Sequence, residues 1–529
     1  MFDDTPLDGA DVTVMGGGFG GLSAAAYLAD AGADVTVLEQ NERLGGAANL
    51  IEAEGFRFDT GPSWYLMPDV FERFFGHFDR APEDYYTIEP LDPHYRVFYT
   101  ETEPQPEKGS PYADDLDEQP RCDWVTTTPD VSRSREIFAA YEEGGGETFD
   151  EYLAEAEYSY EVGMGNFVYE DRSRLRDMID LDVARSGRGL SLLGSMQEHV
   201  ESYFDEPKLQ QLLQYTLVFL GGSPHNTPAL YNLMAHVDYN LGVYYPEGGI
   251  YSVVEGLVEL GEELGVEYEA GIEVTDVQNT TTGLALQTSE GRRRTDVLVS
   301  NANPAHVERE LLSPGSRDHD PEYWEGKTYA PSAIMFYLGV EGSVGPLAHH
   351  SLVFPPDWDP HFERIFDDPA WPDDPAYYLS VPSKTDDAVA PDGHHAVVIL
   401  VPIAPGLDDD SETRERYREK VLSHLAEEVG VDLRDRIVFE RSACVSDYRT
   451  QYNYPEGTAL GLAHTLRQTG PLRPPHRASN VEDLYYVGSY TNPGIGVPMT
   501  LISGQHVAEA VVEDRTGGGS ALDRLMARI

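Results

Sequence analysis

The sequence predicts an α/β fold in which a Rossmann-like dinucleotide-binding domain is interleaved with a mixed α+β substrate domain. Three observations predict it. The N-terminus runs strand, glycine turn, helix, strand; buried strand and turn patterns return after residue 226; and a last strand, glycine loop and helix close the chain after residue 479. The expected boundaries are 1–75, 226–310 and 479–515 for the nucleotide domain, 76–225 and 311–478 for the substrate domain, and 516–529 for a tail.

The first element is the most informative. An apolar run with Val12 and Val14 meets a glycine cluster, an Ala-rich helical stretch follows, and a second β-branched run ends in Glu39. Gly16, Gly18 and Gly21 have the GxGxxG spacing, with Phe19 and Gly20 completing the turn. The first glycine permits the turn, the second lets backbone approach a pyrophosphate, and the third lets helix pack on strand. The phosphates then sit on the amides of the helix N-terminus, where partial positive charge favours an anion. Glu39, 18 residues after Gly21, suits an unphosphorylated ribose, where an NADP site would prefer a basic residue.

Charge and cysteine content narrow the setting. There are 93 acidic against 37 basic residues, only five of them lysine, for a net charge of -56 spread along the chain. Such a surface repels itself in dilute buffer, but at about 1 M salt the screening length falls to roughly 3 Å, which suits a cytoplasmic protein of a salt-loaded cell. Nucleic acid and electrostatic attachment to anionic lipid are excluded as partners. Cys122 and Cys444 make neither a disulfide framework nor a metal site, and the acidic run Asp408–Ser411 lacks a calcium loop's alternation, so no metal is expected. The N-terminus has no signal-peptide pattern and no apolar run is long enough to span a bilayer.

Further along, Arg43 precedes the pair Gly45-Gly46, and Gly61-Pro62 makes a rigid turn after a short strand containing Asp59. Residues 70–225 read as a mostly helical insertion, with a surface loop at 103–123 and helical periodicity over 137–161 and 175–220. Its most apolar part, 209–222, reads as a buried core helix ending at Gly221, as the wall of a lipophilic tunnel or as a segment resting on the membrane. Then come a Pro-x-Gly-Gly turn at 246–249, a helix over 251–264, strands over 266–269 and 272–277, and a buried parallel strand at 297–300. Strands are expected at 332–340 and 395–401, with a helix over 412–428. At the end, a strand stops at Gly488, a glycine loop carries Ser489, Pro493, Gly494 and Gly496, and Val497 and Met499 open a helix through Val512 whose N-terminus points into the site. The tail after Thr516 reads as a fraying end or short amphipathic foot.

Taken together, the glycine cluster, Glu39, Arg43-Leu-Gly45-Gly46, the Gly61-Pro62 turn and the C-terminal loop resemble the phytoene desaturase branch of the FAD-dependent carotenoid desaturases, within the flavin amine oxidase superfamily. The resemblance covers nearly the whole chain and implies FAD. It also implies that Val274 lies near the adenine and that segments 457–469 and 473–476 lie beside the flavin. One departure is Ala47, where many members carry Arg or Lys; Arg43 is a candidate replacement.

The resemblance further implies a C40 polyene substrate, desaturated by hydride transfer to flavin N5 followed by proton loss. The saturated carbons are too weakly acidic for a side chain to begin the reaction, so proximity and orientation carry the catalysis. His464, Arg467 and Asp59 are the candidate catalytic residues, each with an ordinary structural role as the alternative. Phytoene desaturation, 3,4-desaturation of a later carotenoid and cis-trans isomerisation share these motifs. A non-redox prenyl carrier is disfavoured by the intact glycines. An amine oxidase is disfavoured by the absence of a cysteine near Gly488 and of a lysine after Lys420. A membrane-dissolved substrate implies peripheral attachment to the cytoplasmic membrane through an apolar patch. The electron acceptor, quinone or oxygen, and the oligomeric state are left open.

Overall fold

Four parallel-strand pairings build the sheet that the glycine motif announces. In the computed structural model, which describes residues 5–105, 116, 118–171, 194–465 and 467–517, the strands run in the order 484–486, 297–300, 11–15, 34–39, 267–270. Val12, Val14, Val297 and Val299 are fully buried because helices cover one face and a β-meander the other, as a parallel sheet requires. Helices Phe19–Asp30, Tyr251–Glu263 and Val497–Thr516 make the helical layer. Small residues bring the first and last of these close together: Ser23 donates from Oγ to the Leu501 carbonyl at 2.7 Å, directly opposite Gly504.

The opposite face is covered by strands Val274–Thr280, Gly283–Thr288 and Gly291–Thr295. Only the first was expected from the sequence. The second and third carry little apolar alternation on their outer face, and their hairpin turns, around Gly283 and Gly291, are the stronger signal.

A seven-stranded sheet forms the other half, in the order 437–443, 332–341, 394–403, 377–380, 350–354, 95–99, 123–127. Every pairing is antiparallel except that between 95–99 and 350–354. The alternation along strand Ser332–Glu341 divides two cores. Ile334, Phe336 and Leu338 face helix Ser411–His424, whereas Ala333, Met335 and Tyr337 face the opposite way, towards the strand Phe56–Asp59 and the cavity described below.

The insertion is less helical than expected, because Tyr95–Tyr99 and Asp123–Thr127 are strands, buried along their whole length. A run buried on both faces has no alternation to betray it. The helix expected over 137–161 is two, Val131–Tyr141 and Gly145–Gly163, separated where Gly144 takes a left-handed φ of 81°. The stretch 209–222 is divided between core and cavity wall. Helix Pro207–Gln214 buries Leu209, Leu212 and Leu213, and the tight turn Tyr215–Leu220 puts Tyr215, Thr216 and Leu220 on the cavity wall. The last helix continues to Thr516. Most of the expected loop at 103–123, the start of the 175–220 stretch and the tail lie outside the described residues.

Candidate active site

Two helix N-termini converge on one cavity of about 690 Å³. Gly18 caps the first helix and Gly496 the last, and neither offers a side chain to the free N–H groups of the first turn; neither turn contains an acidic residue. Both ends are left open to an anion or a developing negative charge. The close approach at the first depends on Gly21, where a Cβ would collide with the Gly16 carbonyl.

Glu39 stands at the edge of the same cavity, 4% exposed. Oε2 accepts from the Gly17 N–H at 2.8 Å and Oε1 from the backbone and side-chain N–H groups of Asn41, both at 2.8 Å. A carboxylate has about four acceptor positions, so it retains capacity for a ribose hydroxyl. Gly45 donates its N–H to the Gly17 carbonyl at 2.7 Å, which fixes the second glycine turn against the first. Asn301, which the sequence reading passed over, holds the remaining piece. Its Nδ2 donates to the Val487 carbonyl at 3.1 Å, its amide lies against Gly18, Gly20 and Gly488, and its Cβ lies against Gly16.

The cavity wall includes Gly16, Gly18, Phe19, Gly20, Glu39, Gly45, Gly46, Gly61, Pro62, Val274, Ser489, Pro493, Gly496, Val497 and Met499 among the expected cofactor residues. Gly21, Gly488 and Gly494 sit directly behind it, against Gly16, Asn301 and His464 respectively. Arg43 is elsewhere: its guanidinium pairs with Glu52 at 3.1 Å on the surface, and no Arg or Lys is among the described residues of the wall to stand in for the basic residue absent at Ala47.

The three candidate catalytic residues have other employment. Asp59 caps helix Tyr251–Glu263, accepting from the N–H groups of Ile250 at 2.8 Å and Tyr251 at 3.0 Å, and burial pushes its pKa up to about 6. Gly249 is required beside it, since a Cβ there would strike the carboxylate. Arg467 is exposed, on a separate shallow pocket with Lys327. His464 does line the cavity, but both ring nitrogens are taken: Nε2 accepts from the Ile495 N–H at 3.0 Å, so Nδ1 carries the proton and donates to the Tyr231 hydroxyl oxygen. Burial, and then the charge of Arg473, hold it well below the usual histidine range. A neutral imidazole with no spare lone pair positions the 495–497 turn and cannot take a proton from substrate.

Arg473 falls in a segment that the resemblance set beside the flavin, but its role as a tie between backbone segments was not foreseen, since nothing in the sequence distinguishes one more arginine beside a proline pair. It is 3% exposed, and its guanidinium donates to four backbone carbonyls, Leu462 at 3.1 Å, Gln468 at 3.0 Å, Ser489 at 2.6 Å and Thr491 at 3.2 Å. Burial lowers its pKa only to about 10, so it is a cation at neutral pH. It ties segment 462–473 to the C-terminal loop.

Away from the glycine loops the cavity is apolar, walled by Phe71, Met164, Leu230, Met234, Met335 and Leu400. Besides Glu39, the buried acid on this wall among the described residues is Asp238, which accepts from the Tyr95 hydroxyl at 2.6 Å and whose pKa burial pushes up to about 7. A nucleotide cradle thus opens without a partition into a lipophilic chamber, the arrangement of a dinucleotide-dependent enzyme for an apolar substrate.

The chain belongs to the flavin containing amine oxidoreductase family, which it matches over residues 19–512. Its cofactor is FAD, and the open helix ends, glycine turns and Glu39 fit that group. It is 60% identical to the carotenoid 3,4-desaturase of Haloarcula japonica, over 96% of this chain and 99% of that one. It is 31% identical to the zeta-carotene-forming phytoene desaturase of Myxococcus xanthus, over 95% and 94% of the two chains. Among solved structures, putrescine oxidase with bound putrescine superposes with a TM-score of 0.58 at 15% identity, over 95% of this chain and 99% of that one. The last likeness is one of fold.

Proposed function

We propose that this protein is an FAD-dependent carotenoid desaturase that introduces double bonds into a phytoene-derived C40 carotenoid. The observation that carries the proposal is the continuity of the nucleotide cradle with an apolar chamber in which the described residues present no free acid and base pair. When bound, FAD supplies the hydride acceptor at N5. The chain's own residues do the rest. Glu39 and the first helix end hold the nucleotide, the second helix end stabilises negative charge at the ring, and the apolar walls align the polyene and exclude water. His464 and Arg473 keep the loop that forms the second helix end in place.

Within this chemistry, the 60% identity to a carotenoid 3,4-desaturase, against 31% to a phytoene desaturase, favours the 3,4 bond of an already conjugated carotenoid. The substrate enters from lipid, so we place the protein at the membrane surface. No described helix is long and apolar enough to cross a membrane. The large apolar side chains that are exposed among the described residues are Tyr158, Val438 and Leu472.

The test is anaerobic. FAD-loaded protein in molar salt is mixed with liposomes containing either phytoene or a conjugated carotenoid saturated at the 3,4 bond, and flavin bleaching is followed with the carotenoid spectrum. Bleaching with a red-shifted carotenoid band is expected with the second substrate. Bleaching with phytoene alone moves the assignment to phytoene, and a flavin untouched by both refutes desaturation.

A further inference from the structure

Behind the C-terminal helix, outside the cavity, two imidazoles and a carboxylate from three distant parts of the chain converge. We propose that Asp171, His476 and His506 bind a divalent transition metal of the zinc class. His506 lies on helix Val497–Thr516, His476 in the loop before the last strand, and Asp171 just beyond the helical segment that ends at Val168. Their donor atoms lie within 4.8 Å of one another. None of the three lines the cavity, so the role is to anchor the helix and not to touch flavin or substrate.

The hydrogen bonds behind the two rings decide their tautomers. His476 Nδ1 faces the Tyr486 carbonyl at 3.0 Å, and His506 Nε2 faces the Tyr169 carbonyl at 3.3 Å. A carbonyl only accepts, so each of those nitrogens carries its proton and the other nitrogen of each ring is a bare lone pair. These bare atoms, His476 Nε2 and His506 Nδ1, are buried and have no hydrogen-bond partner among the described residues. Both rings are 1% exposed, with centroids 5.8 Å apart. Two lone pairs cannot bond each other; they need an electron-pair acceptor between them. An imidazole whose rear N–H is held by a carbonyl is also the arrangement that orients a metal-bound histidine.

The donor set is selective. Two neutral imidazoles and one carboxylate suit zinc or its first-row neighbours, whereas magnesium and calcium prefer oxygen ligands throughout. Around a tetrahedral zinc the donors stand about 3.4 Å apart, from bond lengths of about 2.0–2.2 Å, so loading draws the cluster inwards. The adjacent cation does not oppose this, because Arg477 is paired with Glu513 and Asp514 of the same helix, each at 2.7 Å. No metal was expected from the sequence, since the ligands share no spacing motif.

The test uses full-length, FAD-loaded, tag-free protein in molar KCl, stripped with chelator. Cobalt titration, read as a difference spectrum against the flavin, is expected to give ligand-field bands that saturate at one equivalent and vanish when zinc is added. Zinc is expected to raise the melting temperature. His476→Gln and His506→Gln are expected to abolish the bands. Asp171→Asn, at a half-buried position that leaves both rings in place, is expected to weaken cobalt binding about tenfold or more while the flavin spectrum is unchanged. The proposal is overturned if wild-type protein gives no bands and no zinc-dependent melting shift, which leaves a shared proton or water between the rings. It is equally overturned if all three variants bind cobalt as wild type does.

Discussion

Replacing Arg473 by Ala tests whether one buried cation holds the flavin-side loop. The guanidinium donates to four buried carbonyls and is not paired with a carboxylate among the described residues. Removing it orphans those acceptors at about 1 kcal/mol each, so about 4 kcal/mol is expected before any cavity cost. The loss must persist in salt. At about 1 M the screening length is roughly 3 Å, which silences exposed ion pairs but does not reach a side chain 3% exposed. The assay is urea unfolding of flavin-free protein at about 1 M and about 3 M KCl, followed by tryptophan fluorescence, with the surface variant Arg43→Ala as control. Arg473→Lys recovers only part, because an ammonium has three donors for four carbonyls. A loss below about 1 kcal/mol, or one that disappears at the higher salt, refutes the reasoning.

Other perturbations address the cofactor, the chamber and pH. Glu39→Gln removes a charge-assisted contact worth about 1.5–3 kcal/mol, so FAD binding measured by flavin fluorescence is expected to weaken roughly 10- to 100-fold. Met335→Trp fills the chamber from the strand Ser332–Glu341; FAD is expected to stay bound while carotenoid-driven bleaching slows at least about tenfold. His464→Gln is expected to lower the bleaching rate without moving its pH profile, since the imidazole is neutral and fully bonded; a lost pKa in that profile would make it a base after all. Asp238, with a folded pKa raised to about 7 from 3.8, binds a proton in the fold that the unfolded chain has released. Its contribution is therefore present below about pH 4 and is lost as pH rises to about 7, by about 4 kcal/mol at most. Asp238→Asn is expected to make the fall of melting temperature across that window shallower, leaving the part below about pH 6 that the raised pKa of Asp59 contributes.

The nucleotide half was legible because its signals are local. Turn glycines, a helix and an acid at the end of a buried strand all occur within the first forty residues, and Val274 and the C-terminal loop line the same cavity. What was not legible depends on partners far away in sequence. Strand Tyr95–Tyr99 pairs with 350–354, and no local pattern distinguishes its buried aromatic run from a helix segment. The roles of Asp59, His464 and Arg467 depend on where each side chain points. Residue type suggested chemistry for all three, yet one caps a helix, one spends both nitrogens on a turn, and one faces solvent. Asn301 and Arg473, which hold the site together, do so through backbone carbonyls and glycines that carry no side-chain signature.

The first and last helices are fastened to each other through Ser23 and Leu501, and the strand Leu484–Tyr486 completes a sheet begun at Asp11. On the ribosome this makes the nucleotide half the last to finish. At about 5–20 residues per second, the closing strand emerges roughly 25 to 100 seconds after the opening one. Helix Tyr251–Glu263 and the meander 274–295 cover the first βαβ unit partway through that interval, but its face towards helix Val497–Thr516 stays open to the end, while the seven-stranded sheet, complete by residue 443, can already fold. The second helix end, with Val497 to Thr500 on the cavity wall, is the last-made part of the described FAD pocket, so the complete site forms late and bound flavin then stabilises the finished fold.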